Sequence, residues 1–201
     1  MSKKLEYTAT NMARKFWLQE MIIGANLKYE GHTDKDIRKK SVEDNIFQGR
    51  SENFRRETTS GIILRLNTLD EYLINLLSNC NLEIAKQIVI YSIMKSDKLF
   101  FDFMNEIYKD KIILKDFKIK SADLKVFISR KQEQVPKIAT WKNSTIERLK
   151  NNYIGYLTEA GFIVKEKENL EIIIPIIDKQ LQDHIIEIGD KIYLQAMIGE
   201  I

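Results

Sequence analysis

Residues 140–175 constrain the fold of this chain more than any other stretch. Asn143, Ser144 and Thr145 offer short polar side chains of the kind that accept hydrogen bonds from the free amides of a helix start. Ile146, Leu149, Tyr153, Tyr156, Leu157 and Ala160 then recur at helical spacing on one face. Gly161 follows, where a left-handed residue ends a helix at little steric cost. Phe162 to Val164 and Leu170 to Ile174 are β-prone runs, and the polar residues 165–169 between them suit a hairpin tip. Helix, glycine and hairpin in this order predict the back half of a winged helix. The polar face of that helix, with Thr145, Arg148, Asn151 and Asn152, has the chemistry of a side that enters a nucleic-acid groove.

The net charge of +3 hides a segregation along the chain. Residues 1–66 hold 13 Lys and Arg against 9 Asp and Glu, and residues 67–110 hold 4 against 7. Residues 111–167 hold 13 against 6, and residues 168–201 hold 2 against 7. The basic excess thus falls on the segment with the helix-hairpin pattern, where a positive field would attract phosphates. A solvated lysine-rich surface, or an acidic tail folded back over the basic block, would produce the same count.

The remaining segments read as helices. The first is expected over residues 11–29, with Phe16, Met21, Ile23, Ala25 and Leu27 as core residues that Trp17 can join, and is broken by Gly31 and His32. Thr33 caps the second, with Asp34 and Asp36 at the positive end of its dipole. Residues 45–50 form a turn holding one buried aromatic, and Ser51 caps a helix punctuated by Arg55, Arg56 and Arg65. A leucine-striped helix starts at Asn67 and Thr68. Residues 82–94 are apolar nearly all round and belong at the centre of a core. Asp97 caps a helix over residues 98–108, residues 109–120 form a charged connector, and Ser121 caps a helix that Val135-Pro136 ends. Two short helices close the chain. The expected fold is mainly α: a compact multi-helix protein with a C-terminal winged-helix-like unit carrying one small β-hairpin. Its lobes are expected at residues 1–110 and 111–201.

The chemistry of most enzyme classes is missing. There is no Walker loop, dinucleotide-binding turn or nucleophile elbow. His32 and His184 lie far apart and outside any metal-ligand spacing. The acidic pairs Asp34 with Asp36, Glu43 with Asp44 and Glu166 with Glu168 fit helix capping or hairpin solubility better than a two-carboxylate site. Cys80 is the one cysteine, which excludes an internal disulfide and fits a reducing compartment. No stretch of about 18 apolar residues is present, and the start lacks the apolar region of a signal peptide. These features lead us to expect a cytoplasmic protein with no membrane insertion, no catalytic residues, no metal and no cofactor. With no heptad run, a monomer is the expected state.

The order of weak motifs resembles the BrxA family of bacterial BREX phage-defence systems. The matching pieces are Glu20 leading to Gly31-His32-Thr33, then residues 45–51, Arg65-Leu66 with Leu69, and Phe101-Asp102-Phe103-Met104. Trp141 to Thr145, Leu149 and residues 157–161 complete the pattern over nearly the whole length. The resemblance implies a small, helical, non-enzymatic nucleic-acid binder acting beside a methyltransferase, an ATPase and other defence components. It brings no catalytic motif.

The expected function is therefore double-stranded DNA binding within such a system. Lys142, Arg148, Lys150 and Asn151 would meet phosphates or base edges, and Lys165 and Lys167 at the hairpin tip an adjacent backbone. Arg50, Arg55 and Arg56 would extend the track. The alternatives are a protein–protein adaptor, with the small residues 58–61 receiving a partner side chain, and an RNA-binding helical protein.

Overall fold

A computed structural model describes residues 5–9, 14–166 and 169–200. It is mainly helical with one small antiparallel sheet. Backbone contacts divide the chain into two compact units: Phe16–Ser92, and the described parts of Met1–Lys15 with Ile93–Ile201. Residues 93–110, expected with the N-terminal lobe, group with the C-terminal segment.

In the unit Phe16–Ser92, α1 (Leu18–Tyr29) packs on α3 (Glu52–Leu66) and α4 (Glu71–Asn79), and α2 (Asp34–Glu43) packs on α3. The expected start of α1 is corrected. Residues 14–17 are not helical, residues 11–13 lie outside the described residues, and Trp17 takes a left-handed backbone (φ 60°) that a continuing helix cannot contain. Arg65 fixes this entry. It is 1% exposed, donates from Nη1 to the Phe16 carbonyl at 2.8 Å, and sets its guanidinium 5.0 Å from the Trp17 ring. In the sequence it is one of three arginines that punctuate this helix. Where α1 meets α3, a Cβ on Gly24 would fall 2.7 Å from Leu66 Cδ1, so the absent side chain permits the close approach.

Local polar chemistry sets most helix starts. Thr33 accepts from the Asp36 amide while the Asp36 carboxylate accepts from Thr33, a reciprocal cap, and Ser51 accepts from the Phe54 amide. Phe47 is buried in the 45–50 turn, as expected. The fourth helix begins later than Asn67 and Thr68 suggested, because Asp70 is its cap and accepts from the Leu73 amide at 2.9 Å. α5 (Leu82–Ser96) is buried at Ile88, Val89, Ile90, Tyr91, Ile93 and Met94, which accords with its all-round apolar sequence, and the chain passes from one unit to the other within it.

In the other unit, α6 (Lys98–Phe103), a π-helical turn (Met104–Tyr108) and α7 (Lys109–Ile113) follow one another without a break. The connector expected at 109–120 therefore begins five residues later, at Leu114, and it contains β1 (Lys118–Ile119), a two-residue strand below the length at which alternation shows in sequence. Next come α8 (Ser121–Gln134), α9 (Pro136–Ala139), α10 (Asn143–Ala160), β2 (Ile163–Glu166), β3 (Asn169–Ile172), α11 (Lys179–Glu187) and α12 (Lys191–Ile198). The sheet order is β1-β3-β2, all antiparallel, with Lys118 opposite Glu171 and Val164 opposite the same residue on the other side. Phe100, Phe103, Phe127, Tyr153 and Tyr156 form an aromatic core, and the Tyr108 hydroxyl lies 3.2 and 3.0 Å from the Phe162 and Ile173 carbonyls at the base of the hairpin.

Two expected caps are corrected. Ser121 is the first residue of α8 rather than its cap; the start is held by Asp123, whose carboxylate accepts from the Lys120 amide at 2.7 Å. Asn143 likewise opens α10 from inside the helix, and its preceding residue Lys142 makes no side-chain cap. The stop of α10 agrees with the sequence. Gly161 sits at φ 79°, and the Phe162 amide reaches back to the Leu157 carbonyl at 2.8 Å. A Cβ on Gly161 would meet nothing within 4 Å. Gly161→Ala should therefore lose only the left-handed backbone preference, about 1–2 kcal/mol, read as a shift in urea midpoint with unchanged slope.

Candidate nucleic-acid interface

The exposed side of α10 exists because its other side is committed. Ile146, Leu149, Tyr153, Tyr156, Leu157 and Ala160 are buried, as the helical spacing required. Tyr153 is pinned further by Asp97, both of whose carboxylate oxygens lie 3.3 Å from the phenol oxygen. Burial first, then the adjacent Asp97 charge, pushes that phenol well above its ordinary range, so it stays protonated and can donate to the carboxylate. The Tyr156 hydroxyl donates to the Arg14 carbonyl at 3.0 Å. These bonds fix how far α10 can rotate.

On the opposite side, Lys142, Ser144, Arg148 and Asn151 are exposed, one to two helical turns apart. Among the described residues neither Lys142 nor Arg148 has an ion-pair partner. Lys150 is a correction. It is 8% exposed, and its Nζ turns onto Glu147 Oε1 at 2.8 Å. Its position beside Leu149 and Tyr153 places its stem over the core, so only the tip reaches solvent.

At the hairpin, Lys165 is exposed opposite Leu170, while Lys167 lies outside the described residues. Lys118 and Lys120, read from sequence as connector, are exposed on and beside β1, and Lys118 lies in register two strands from Val164. Pairing with β3 brings them to the sheet, and nothing in so short a strand announces it.

The basic excess of residues 111–167 is partly spent inside the unit. Lys111 bridges Asp116 and Asp123 at 2.8 and 3.1 Å. Burial works to lower its pKa, but the hydrogen bonds it donates to these two carboxylates outweigh it and hold the ammonium above its ordinary value. Arg130 pairs with Glu106, and Lys131, 5% exposed, pairs with Asp102 and Glu106. In place of the expected single strip of cations stands a narrower set: Lys142 just before α10, Arg148 on it, Lys165 on β2, and Lys118 and Lys120 at β1.

Arg50, Arg55 and Arg56 belong to the unit Phe16–Ser92. Arg50 is exposed with its guanidinium 5.6 Å from the Phe54 ring, and Arg56 is held by Glu52. Arg55 is half-buried, lies close against Gly49, and its buried Nε has no hydrogen-bond partner among the described residues. No group of three or more His, Cys, Asp or Glu side chains among the described residues is placed to hold a metal ion. No helix among them is long and apolar enough to cross a membrane.

The same fold occurs in a solved protein. The crystal structure of an uncharacterized protein from Magnetospirillum magneticum superposes with a TM-score of 0.83 at 21% identity, covering 96% of this chain and 98% of that one. Sequence comparison then gives the family. The BrxA family model matches residues 5–189, and a BREX protein BrxA from Bacillus cereus (strain H3081.97) is 37% identical over 200 residues, covering 100% of both chains. A BREX protein BrxA from Escherichia coli O9:H4 (strain HS) is 26% identical over 172 residues, 79% of this chain and 80% of that one. The chain belongs to the BrxA family.

Proposed function

We propose that this protein is a non-enzymatic, cytoplasmic, monomeric DNA-binding component of a BREX phage-defence system, working with the other proteins of that system. Membership of a family whose relatives are named BREX proteins supports the system. The DNA-binding reading is carried by one observation: Arg148 and Asn151 line the solvent face of a helix whose opposite face is committed to the core, with exposed Lys142 at its N-terminal boundary. The element order β1-α8-α9-α10-β2-β3, with β3 between β1 and β2, supports reading this part of the chain as a winged helix. In this reading α10 is the groove helix and the hairpin, with Lys165, the wing. Lysine and arginine contacts to phosphate carry little base information, so duplexes of different sequence bind comparably.

The test is fluorescence anisotropy of a random-sequence duplex across a salt series. Lys142→Glu with Arg148→Glu should weaken binding to every duplex and reduce the slope of log affinity against log salt by about two. Lys150→Gln should leave that slope unchanged, since its ammonium is already committed to Glu147. Undiminished binding by the double variant, with an unchanged circular dichroism spectrum, would sink the reading.

An adaptor role is favoured by a different observation. Val164, Ile173 and Ile174 are 50%, 44% and 42% exposed on and beside the hairpin strands. Pull-down of BREX partners that survives the charge reversal but fails for Val164→Asp would select it.

A further inference from the structure

The unit Phe16–Ser92 contains a cleft. It lies between α2 and α3, has a volume of about 250 Å³, and is lined by Arg38, Val42, Arg56, Thr59 and Ser60. Its base is fixed. The hydroxyls of Ser41 and Thr59 lie 2.5 Å apart, both nearly inaccessible to solvent, and join the two helices. Its walls are oriented. Arg38 reaches from α2 to α3, donating from Nη1 to Ser60 Oγ at 2.9 Å, and the Ser60 hydroxyl in turn donates to the Arg56 carbonyl at 2.8 Å. Arg56 directs Nε and Nη2 onto the same oxygen of Glu52, at 2.9 and 2.6 Å, which holds its stem along α3.

The charge of the lining separates this cleft from its neighbour. Two guanidinium groups face it, with no carboxylate among its lining residues. Glu52, outside the lining, compensates Arg56, and Asp34 is held by Lys28 at 2.9 Å and by the Asn67 amide at 2.8 Å, which leaves the lining an excess of one positive charge. A second cleft along α2, lined by His32, Asp36, Lys39, Lys40, Glu43 and Asp44, has three acids against two lysines and no such excess.

The donors not directed onto Glu52 and Ser60, Nη1 of Arg56 and Nε with Nη2 of Arg38, suit an oxyanion with several acceptor oxygens, because a guanidinium carries five N–H groups and one bonded edge leaves another to present. We propose that the Arg38–Arg56 cleft is a phosphate-binding site. The ligand is a phosphate group, either free or carried by a nucleic-acid backbone. The size of the cleft admits one such group rather than a whole nucleotide.

The experiment titrates the full chain with inorganic phosphate by calorimetry and, separately, with a short DNA duplex by anisotropy. Arg38→Gln with Arg56→Gln is compared with Arg148→Gln and with Arg38→Lys plus Arg56→Lys. The expected result is one-to-one phosphate binding that weakens about tenfold or more in the double glutamine variant and is unchanged in Arg148→Gln. The double lysine variant, which keeps the charge but not the fork, should fall between them. Phosphate binding identifies a free ion as the source. Duplex binding that drops in the double glutamine variant, without measurable phosphate binding, identifies the backbone and also supports the site. If neither ligand distinguishes the arginine variants from wild type, the proposal is overturned. That outcome leaves the α10 reading standing, because Arg148→Gln reports on it independently.

Discussion

Replacing Lys131 by alanine is expected to lower the unfolding free energy by about 3–5 kcal/mol in urea denaturation at neutral pH, the cost typical of breaking a buried ion pair from one side. Lys131 is 5% exposed, and its Nζ contacts Asp102 Oδ2 at 2.7 Å and Glu106 Oε1. Asp102 is itself 5% exposed and also accepts from Lys98 at 2.8 Å and from the Tyr7 hydroxyl at 2.7 Å. Removing the ammonium leaves two carboxylates one helical turn apart with less compensation. It also strips the lysine stem and its charge from the Phe127 ring, 5.6 Å away. Lys131→Met, which keeps the volume, separates the packing loss from the charge loss.

The same network predicts a pH dependence. Burial pushes the Asp102 carboxyl up, but hydrogen bonds from Lys131, Lys98 and Tyr7 outweigh it and leave the group below its ordinary value. A carboxylate with a lower pKa folded than unfolded contributes stability above the unfolded value, near 3.9. That contribution is lost as pH falls through the folded pKa. Stability should thus decline on acidification below about pH 4, and Asp102→Asn should flatten that part of the curve. An equally steep acid limb in the variant would exclude Asp102 as its source.

Phe100→Ala should cost about as much, roughly 3–5 kcal/mol, for a different reason: it opens a cavity in a close-packed aromatic cluster. Phe100 is inaccessible to solvent, with ring centroids 5.1 Å from Tyr153 and 5.6 Å from Tyr156 in tilted and edge-on arrangements. Those tyrosines seat α10 on the core. The variant should therefore loosen α10 as well, raising amide hydrogen exchange along Asn143–Ala160 beyond the change in global stability. The half-buried Phe101 beside it is the control, and Phe101→Ala should cost less.

Much of this structure is legible in the chain because its causes are local. Thr33, Ser51 and Asp97 name three helix starts, since a short polar side chain meets an amide within three residues. Gly161 names the end of α10 for an equally local reason. The buried face of α10 follows from its 3.6-residue period, and the all-round apolar α5 follows from composition alone. Where two local signals compete, the sequence misleads. Asn143 and Ser121 look like caps but lie one residue inside their helices.

The candidate interface divides along the same line. That α10 carries Arg148 and Asn151 opposite its apolar stripe is a property of the sequence, fixed by helical geometry. Which cations remain available is decided by the tertiary structure. Lys150 and Lys131 have the same composition and the same segment as Arg148, yet one turns onto Glu147 and the other is enclosed by carboxylates of the α6–π-turn segment. Arg65 and Arg56 lie nine residues apart on opposite sides of α3, one covered by Trp17 and one at the surface on Glu52. Helix periodicity, caps and pairs such as Lys150 with Glu147 involve neighbours a few residues apart, which a sequence displays. The partners of Lys131 lie tens of residues away, and only the folded chain brings them together.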